Sequence, residues 1–227
     1  MGLDMYLEKK KKDSRFSFEF INAMDNEFYD LDYKGQNQDF NELREKLKIL
    51  FKDILYTYPN KYKWEIEQKP TMTTFFKEIA RWRKANMIHK WFIDKCASGI
   101  DNCKRFKVSK DQIYDLFLDC CKVFELLPKE KFKKMCEDVN AFYDENSDKL
   151  PYDELEKGLK QFTTQIDFSL YAKQASEILP TKSGFFFGST DYDFWYFEEI
   201  KNTITILDKV LSETDWEHED VVYCANW

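Results

Sequence analysis

The run EIARWRKANMIHKWF, Glu78 to Phe92, holds the side chains best suited to chemistry. An indole (Trp82), a guanidinium (Arg83), an ammonium (Lys84), a carboxamide (Asn86) and an imidazole (His89) fall close together in it. Arginine offers a planar fork for phosphate, tryptophan a stacking face, and asparagine or histidine a contact to a base edge or hydroxyl. A second run, Leu179 to Phe197, sets three phenylalanines between Ser183-Gly184 and Gly188-Ser189-Thr190. A short apolar strand feeding such a turn and then a helix N-terminus leaves backbone N–H groups that favour anions. Asp191 or Asp193 caps that helix, however, and a carboxylate there competes with phosphate for the same donors. The plainer reading of the stretch is a buried strand followed by a capped helix.

The first run reads as part of a helix over roughly 73–95, opened by Pro70 and a Thr-rich turn. At about 100° per residue, Ala80, Met87, Ile88, Trp91 and Phe92 form one apolar face. Trp82, Asn86, His89 and Ile93 lie opposite, flanked by Ile79, Arg83 and Lys90. A helix with large residues on both sides is central and covered by other elements. Burying Asn86, His89 and Arg83 unpaired would cost about 1–3 kcal/mol each, so they need partners. Those are either carboxylates of the chain itself or the phosphate, ribose or base of a ligand. In the ligand reading Arg83, Lys84 and Lys182 hold phosphate, and Trp82 or Phe186 stacks. Asn86, Ser183 and Ser189 then orient the ligand, His89 adds a polar contact, and Gly184 and Gly188 shape the turn. A catalytic reading makes His89 the acid/base with Asp4 or Asp191 as partner, but no motif supplies a nucleophile.

Around these runs the remaining elements follow from periodicity. Residues 2–8 alternate as a half-buried strand, with Lys9 to Lys12 as a solvated strand end or a phosphate-facing run. Phe16, Phe18 and Phe20 alternate as a second strand over 15–21, and 22–37 reads as a loop. Helical spacing covers Asp39 to about Thr57, and Tyr62, Trp64 and Ile66 suggest a short strand. After a turn at Gly99–Asn102 and a brief strand at 105–108, Ser109 with Gln112 makes a capping box for a helix. Pro128 ends that helix and begins another; shorter helices follow near 152–162 and 167–178, then one at 192–212. VVYCANW closes the chain as a strand. The expectation is an α+β fold: one mostly helical domain over 1–227, with a small antiparallel sheet joining the N- and C-terminal strands. A helical lobe over 109–178 is compatible with it.

Composition bounds the partners. With 21 Phe, 13 Tyr and 6 Trp among 227 residues, some rings are expected to line a groove or interface rather than the core. A net charge of −7, with 35 Lys and Arg in mixed-sign surroundings, suits a soluble protein and argues against a broad duplex nucleic-acid surface. No apolar run reaches membrane-spanning length, so no membrane partner is expected. Six cysteines follow no Cys-x-x-Cys pattern and read as reduced thiols of a cytoplasmic protein. With two histidines besides, neither a zinc site nor any other cofactor is expected. The opening Met-Gly lacks the Ser or Thr that myristoylation needs at position 6, and no Walker loop supports an NTPase.

Three segments taken together, GLDMYL at 2–7, WRKANMIHKWF at 82–92 and LPTKSGFFFGSTDYD at 179–193, resemble a family of small proteins encoded by bacteriophages and prophages. A closing strand similar to VYCANW at 222–227 belongs to the same pattern, and the middle at roughly 22–70 and 125–165 diverges. The resemblance implies a phage context in a bacterial host and no particular reaction. It also implies that 2–7, 82–92 and 183–193 belong to one site or one shared core. The function expected first is a non-catalytic accessory protein, an anti-defence sponge for a nucleotide-like or phosphorylated small molecule. The alternative is an acidic inhibitor of a host protein, using the tracts at 25–32, 144–156 and 213–220.

Overall fold

Leu3, Met5 and Leu7 are fully buried, and that alternation builds the centre of the sheet. The computed structural model describes residues 2–34, 38–59 and 71–227, with side chains outside 27–41 and 71–72. Strand β1 (Asp4–Lys11) runs antiparallel between β4 (Lys77–Arg83) and the closing strand β6 (Glu219–Asn226). The short β5 (Phe106–Val108) completes a sheet of order β4-β1-β6-β5. Met5 lies opposite Trp82 on one side and Ala225 on the other, and Leu7 opposite Tyr223. A separate hairpin pairs β2 (Tyr56–Pro59) with β3 (Thr71–Thr74).

Helices cover both faces. Those near the start are α1 (Phe18–Lys34) and α2 (Gln38–Leu50). After β4 comes α3 (Asn86–Cys96), then α4 (Lys110–Phe124), α5 (Lys129–Asn146) and α6 (Tyr152–Thr163). Last are α7 (Ser169–Ile178) and α8 (Phe194–Glu213). One face of the sheet (Met5, Leu7, Trp82, Tyr223) joins α3 to α8 in the large core. Val222 on the other face joins Ile21, Phe51, Ile54, Phe75 and Phe76 in a smaller one. Each large apolar side chain fully buried in these layers stabilises by about 1.5–3 kcal/mol. Val123, Phe132 and Leu155, from 109–178, share the same core as Leu3 and Trp82. The mostly helical α+β expectation therefore holds, with the two terminal strands side by side.

Several local expectations are corrected. The helix over 73–95 is instead strand β4, a corner and helix α3. The reason is legible in side-chain type: Ala80 and Trp82 go inward while Arg81 and Arg83 point to solvent, a period of two. Lys84 then takes a left-handed conformation, φ 61°, which turns the chain into α3. The strand over 15–21 is replaced by α1, because the Ser17 hydroxyl accepts from Phe20 N (3.1 Å) and nucleates a helix. In that frame Phe16 stacks on Phe20 at 5.1 Å, and the loop over 22–37 is largely α1. Helix α2 stops at Leu50 rather than near Thr57, and Tyr56 already belongs to β2. No strand forms at Phe185–Phe187; a turn closes there through Phe187 N to Gly184 O at 3.2 Å. Lys9 and Lys10 are not solvated: they sit inside β1, paired with Glu219 (2.8 Å) and Asp220 (3.0 Å). The strand suggested at 62–66 lies outside the described residues. The capping box at Ser109/Gln112 and the Asp193 cap of α8 form as read.

Candidate functional site

Three stretches far apart in sequence converge at one end of the sheet. Leu3 links them: its carbonyl accepts from Lys84 N (2.7 Å) and its N–H donates to Phe186 O (3.1 Å). The β4–α3 corner and the 182–190 turn are thereby fixed on either side of the first strand. Gly188, at φ +85°, brings the turn against Lys84; a Cβ there would sit 3.2 Å from the Lys84 Cβ. Such a backbone favours glycine because other residues are strained at positive φ.

Asn86 ties corner to turn. Its Nδ2 donates to Phe187 O (3.1 Å) and Ser189 O (2.7 Å), and its Oδ1 accepts from Lys182 N (3.2 Å). Both amide hydrogens are thus engaged by backbone carbonyls. One turn along α3, His89 has 0% exposure. Its Nε2 lies 3.1 Å from Asp101 Oδ2 and its Nδ1 lies 2.8 Å from the Tyr223 hydroxyl. Asp101 also accepts from Lys182 Nζ at 2.6 Å. A carboxylate facing an ammonium accepts only, so Nε2 carries the proton, Nδ1 accepts, and the Tyr223 phenol donates. Burial pushes the His89 pKa below its ordinary value against the opposing pull of Asp101. Burial likewise raises the Tyr223 phenol well above its usual value. Phe187 and Trp227 set their rings edge-on around the imidazole, at 5.2 and 5.4 Å.

The residues singled out from sequence now divide into two groups. Asn86, His89, Lys182 and Trp82 are engaged within the protein, Trp82 through Nε1 to Thr203 Oγ1 at 3.0 Å. Arg83, Lys84, Ser183, Gly184, Gly188 and Ser189 are exposed on the surface around them, with Phe186 half-buried. Ser189 Oγ accepts from Asp191 N (3.0 Å), which shapes the turn. Arg83 and Lys84 form no ion pair among the described residues. Phe185 is 94% exposed, and among the described rings it meets Phe186 alone, edge to face at 4.7 Å between centroids.

The catalytic pairing of His89 with Asp4 or Asp191 is corrected. Asp4 is bonded to Arg81 at 3.1 Å, and the partners of His89 are Asp101 and Tyr223. An imidazole with no exposed atom and both nitrogens occupied transfers no proton to a bound substrate. Burial raises the thiols of Cys96 and Cys224 to about 12, in Cys224 with the Glu8 carboxylate adding; neither is a nucleophile at neutral pH. No cluster of three metal-ligating side chains occurs among the described residues, and no described helix is long and apolar enough to cross a membrane.

Asp101, Tyr223 and Phe185 were not singled out from sequence. The β-branched and aromatic content of VVYCANW reads as a strand, which was the available signal for Tyr223. Nothing in the turn at Gly99–Asn102 pointed Asp101 at His89. No family model, curated protein or solved structure matches this chain.

Proposed function

We propose that this chain is a non-catalytic binding protein of phage or prophage origin that sequesters a nucleotide-like or other phosphorylated small molecule. Its contact surface in this reading is the outside of the β4–α3 corner and the 183–190 turn. The observation that carries the proposal is the exposed pair Arg83 and Lys84, without carboxylate partners among the described residues, on a corner that Leu3 links by backbone hydrogen bonds to the turn bearing the 94% exposed ring of Phe185. Two unpaired cations on a corner tied to a turn with an exposed ring suit the phosphate and the base of a nucleotide. Asn86, Lys182, His89 and Asp101 serve as the frame that holds the turn in place beneath that surface. Phe185 thereby takes the stacking role that sequence reasoning gave to Trp82 or Phe186.

The acidic-inhibitor reading is favoured most by the tract at 144–156. Glu219 and Asp220 are paired with Lys9, Lys10 and Lys107, so 213–220 presents less free charge than its sequence suggests. Asp25, in the 25–32 tract, is buried against Arg105 at 3.2 Å. Asp144, Glu145, Asp148, Asp153, Glu154 and Glu156 remain exposed and are the residues on which a basic host protein would dock.

Titration calorimetry against cyclic oligonucleotides and NAD-derived signals, with mass analysis of the purified chain for a retained ligand, tests the first reading. Saturable binding to one of these, weakened by added salt, is the expected result. No heat from any of them, and no retained ligand, would remove it.

A further inference from the structure

We propose that a second site, the cleft between α6 and the start of α8, binds a small quaternary ammonium compound. The cleft encloses about 490 Å³ and is walled by Tyr143 from α5, Tyr152 from α6 and Trp195 from α8. These are among the most exposed large rings of the chain, at 50, 76 and 48% respectively. A ring left in water at a cleft wall contributes little to the fold, whereas its face is free for a ligand. Among the described rings Trp195 meets Phe194 edge to face (centroids 5.1 Å, 83°), and none stacks flat on it. The cleft floor is apolar, built by Leu155, Leu159 and Phe194, all buried.

The charge lining the cleft sets the ligand's sign. Glu156 and Asp193 contribute two carboxylates and Lys160 one ammonium, leaving one net negative charge beside three electron-rich rings. Neither Glu156 nor Asp193 has an ion-pair partner among the described residues. Asp193 uses Oδ1 to accept from Trp195 N (3.0 Å) and Tyr196 N (3.1 Å), which holds Trp195 at the mouth. An anion or a nucleic-acid strand would meet the carboxylates, and a neutral apolar group would leave them uncompensated. A trimethylammonium group satisfies both parts of the wall, because ring faces attract a cation that carries no hydrogen-bond donors to desolvate.

Calorimetric titration of the full chain with choline, and in parallel with its uncharged isostere 3,3-dimethyl-1-butanol, separates this from simple apolar packing. Choline is expected to bind saturably and at least about tenfold more tightly than the isostere. Tyr152→Ala and Trp195→Ala should each weaken choline by about tenfold, while Trp195→Phe and Glu156→Gln give intermediate losses without a change in melting temperature. Equal affinity for the isostere, absence of saturable heat from choline, or unchanged binding in Trp195→Phe and Glu156→Gln together would overturn the site. Arg83 and Lys84 lie outside this cleft, so Arg83→Glu leaves choline binding unchanged and the two sites fail or stand separately.

Discussion

His89 and Asp101 meet through a 3.1 Å contact between Nε2 and Oδ2, and around it four stretches of chain come together. Lys182 reaches the same carboxylate oxygen from the 182–190 turn, and Tyr223 holds the far side of the imidazole from β6. The cluster is a clamp: it fixes the turn carrying Phe185 against β6 and against α3, the helix that follows the corner of Arg83 and Lys84.

If the clamp is cooperative, its members are coupled in stability. Asp101→Ala strips an acceptor from both the His89 N–H and the Lys182 ammonium, and should cost about 1–3 kcal/mol. Lys182→Met should cost less, since its side chain is partly in solvent. The double variant should cost clearly less than the sum, as read by urea denaturation. Strict additivity would show that the two side chains act independently.

Asn86 makes a separate prediction, because three backbone groups of the turn rest on one side chain. Asn86→Ala should lower stability by about 2–3 kcal/mol. It should also accelerate amide exchange at Lys182, whose N–H loses its acceptor, before exchange in α8 changes. Exchange quickened equally everywhere would mean that Asn86 holds no local unit.

The pH dependence has two opposed parts. Burial, with Glu198 adding, pushes the Glu199 carboxyl up from 4.5 to about 7. A carboxyl with a raised folded value gives stability that is full below 4.5 and lost as pH rises through about 7. Glu199→Gln should therefore match the wild type near pH 4 and exceed it by on the order of 2 kcal/mol near pH 8.5. His89 is lowered by burial, with Lys182 assisting and Asp101 opposing; its contribution is full above 6.5 and lost as pH falls through the folded value. His89→Gln should flatten the acid limb of the stability profile and leave the alkaline limb unchanged, as followed by thermal melts across pH.

Gly158 sits inside α6, where alanine would ordinarily stabilise a helix by about 1 kcal/mol. Here the Phe142 ring of α5 occupies the space a Cβ would need. Gly158→Ala should therefore destabilise, by about 1–3 kcal/mol from forced repacking, and Phe142→Leu should relieve part of that loss. A stabilised Gly158→Ala would show that α5 and α6 pack loosely at this crossing.

The helices from α4 to α8 were legible from their 3.6-residue apolar period, reinforced by side-chain caps at Ser109 of α4 and Asp193 of α8. Strand β4 was misread because Ala80 falls on one helical face with Met87, Ile88 and Trp91, and Trp82 on the other with Asn86 and His89, when the two segments are joined across the corner. The arginines at 81 and 83 carried the correct period of two, but only pairing with β1 makes that period win. Phe16, Phe18 and Phe20 misled in the opposite direction, since local hydrogen bonding by Ser17 outweighs their alternation. At the site, sequence named Asn86, His89 and Lys182 yet not what they touch. Asp101 reaches His89 through a turn whose geometry no spacing rule encodes, and the exposure of Phe185 depends on Gly184 and Gly188 closing that turn around Phe187.

The central claim is that anion recognition belongs to the exposed corner and not to the buried clamp. The direct measurement is calorimetric titration with cyclic di-GMP of three proteins: wild type, Arg83→Glu/Lys84→Glu, and a charge-matched control, Lys133→Glu/Lys157→Glu. Saturable binding by the wild type and the control, with a loss of at least about a hundredfold in the corner variant, is the predicted result. Equal binding by all three would contradict it, as would a wild type that binds neither cyclic di-GMP nor any other cyclic oligonucleotide or NAD-derived signal.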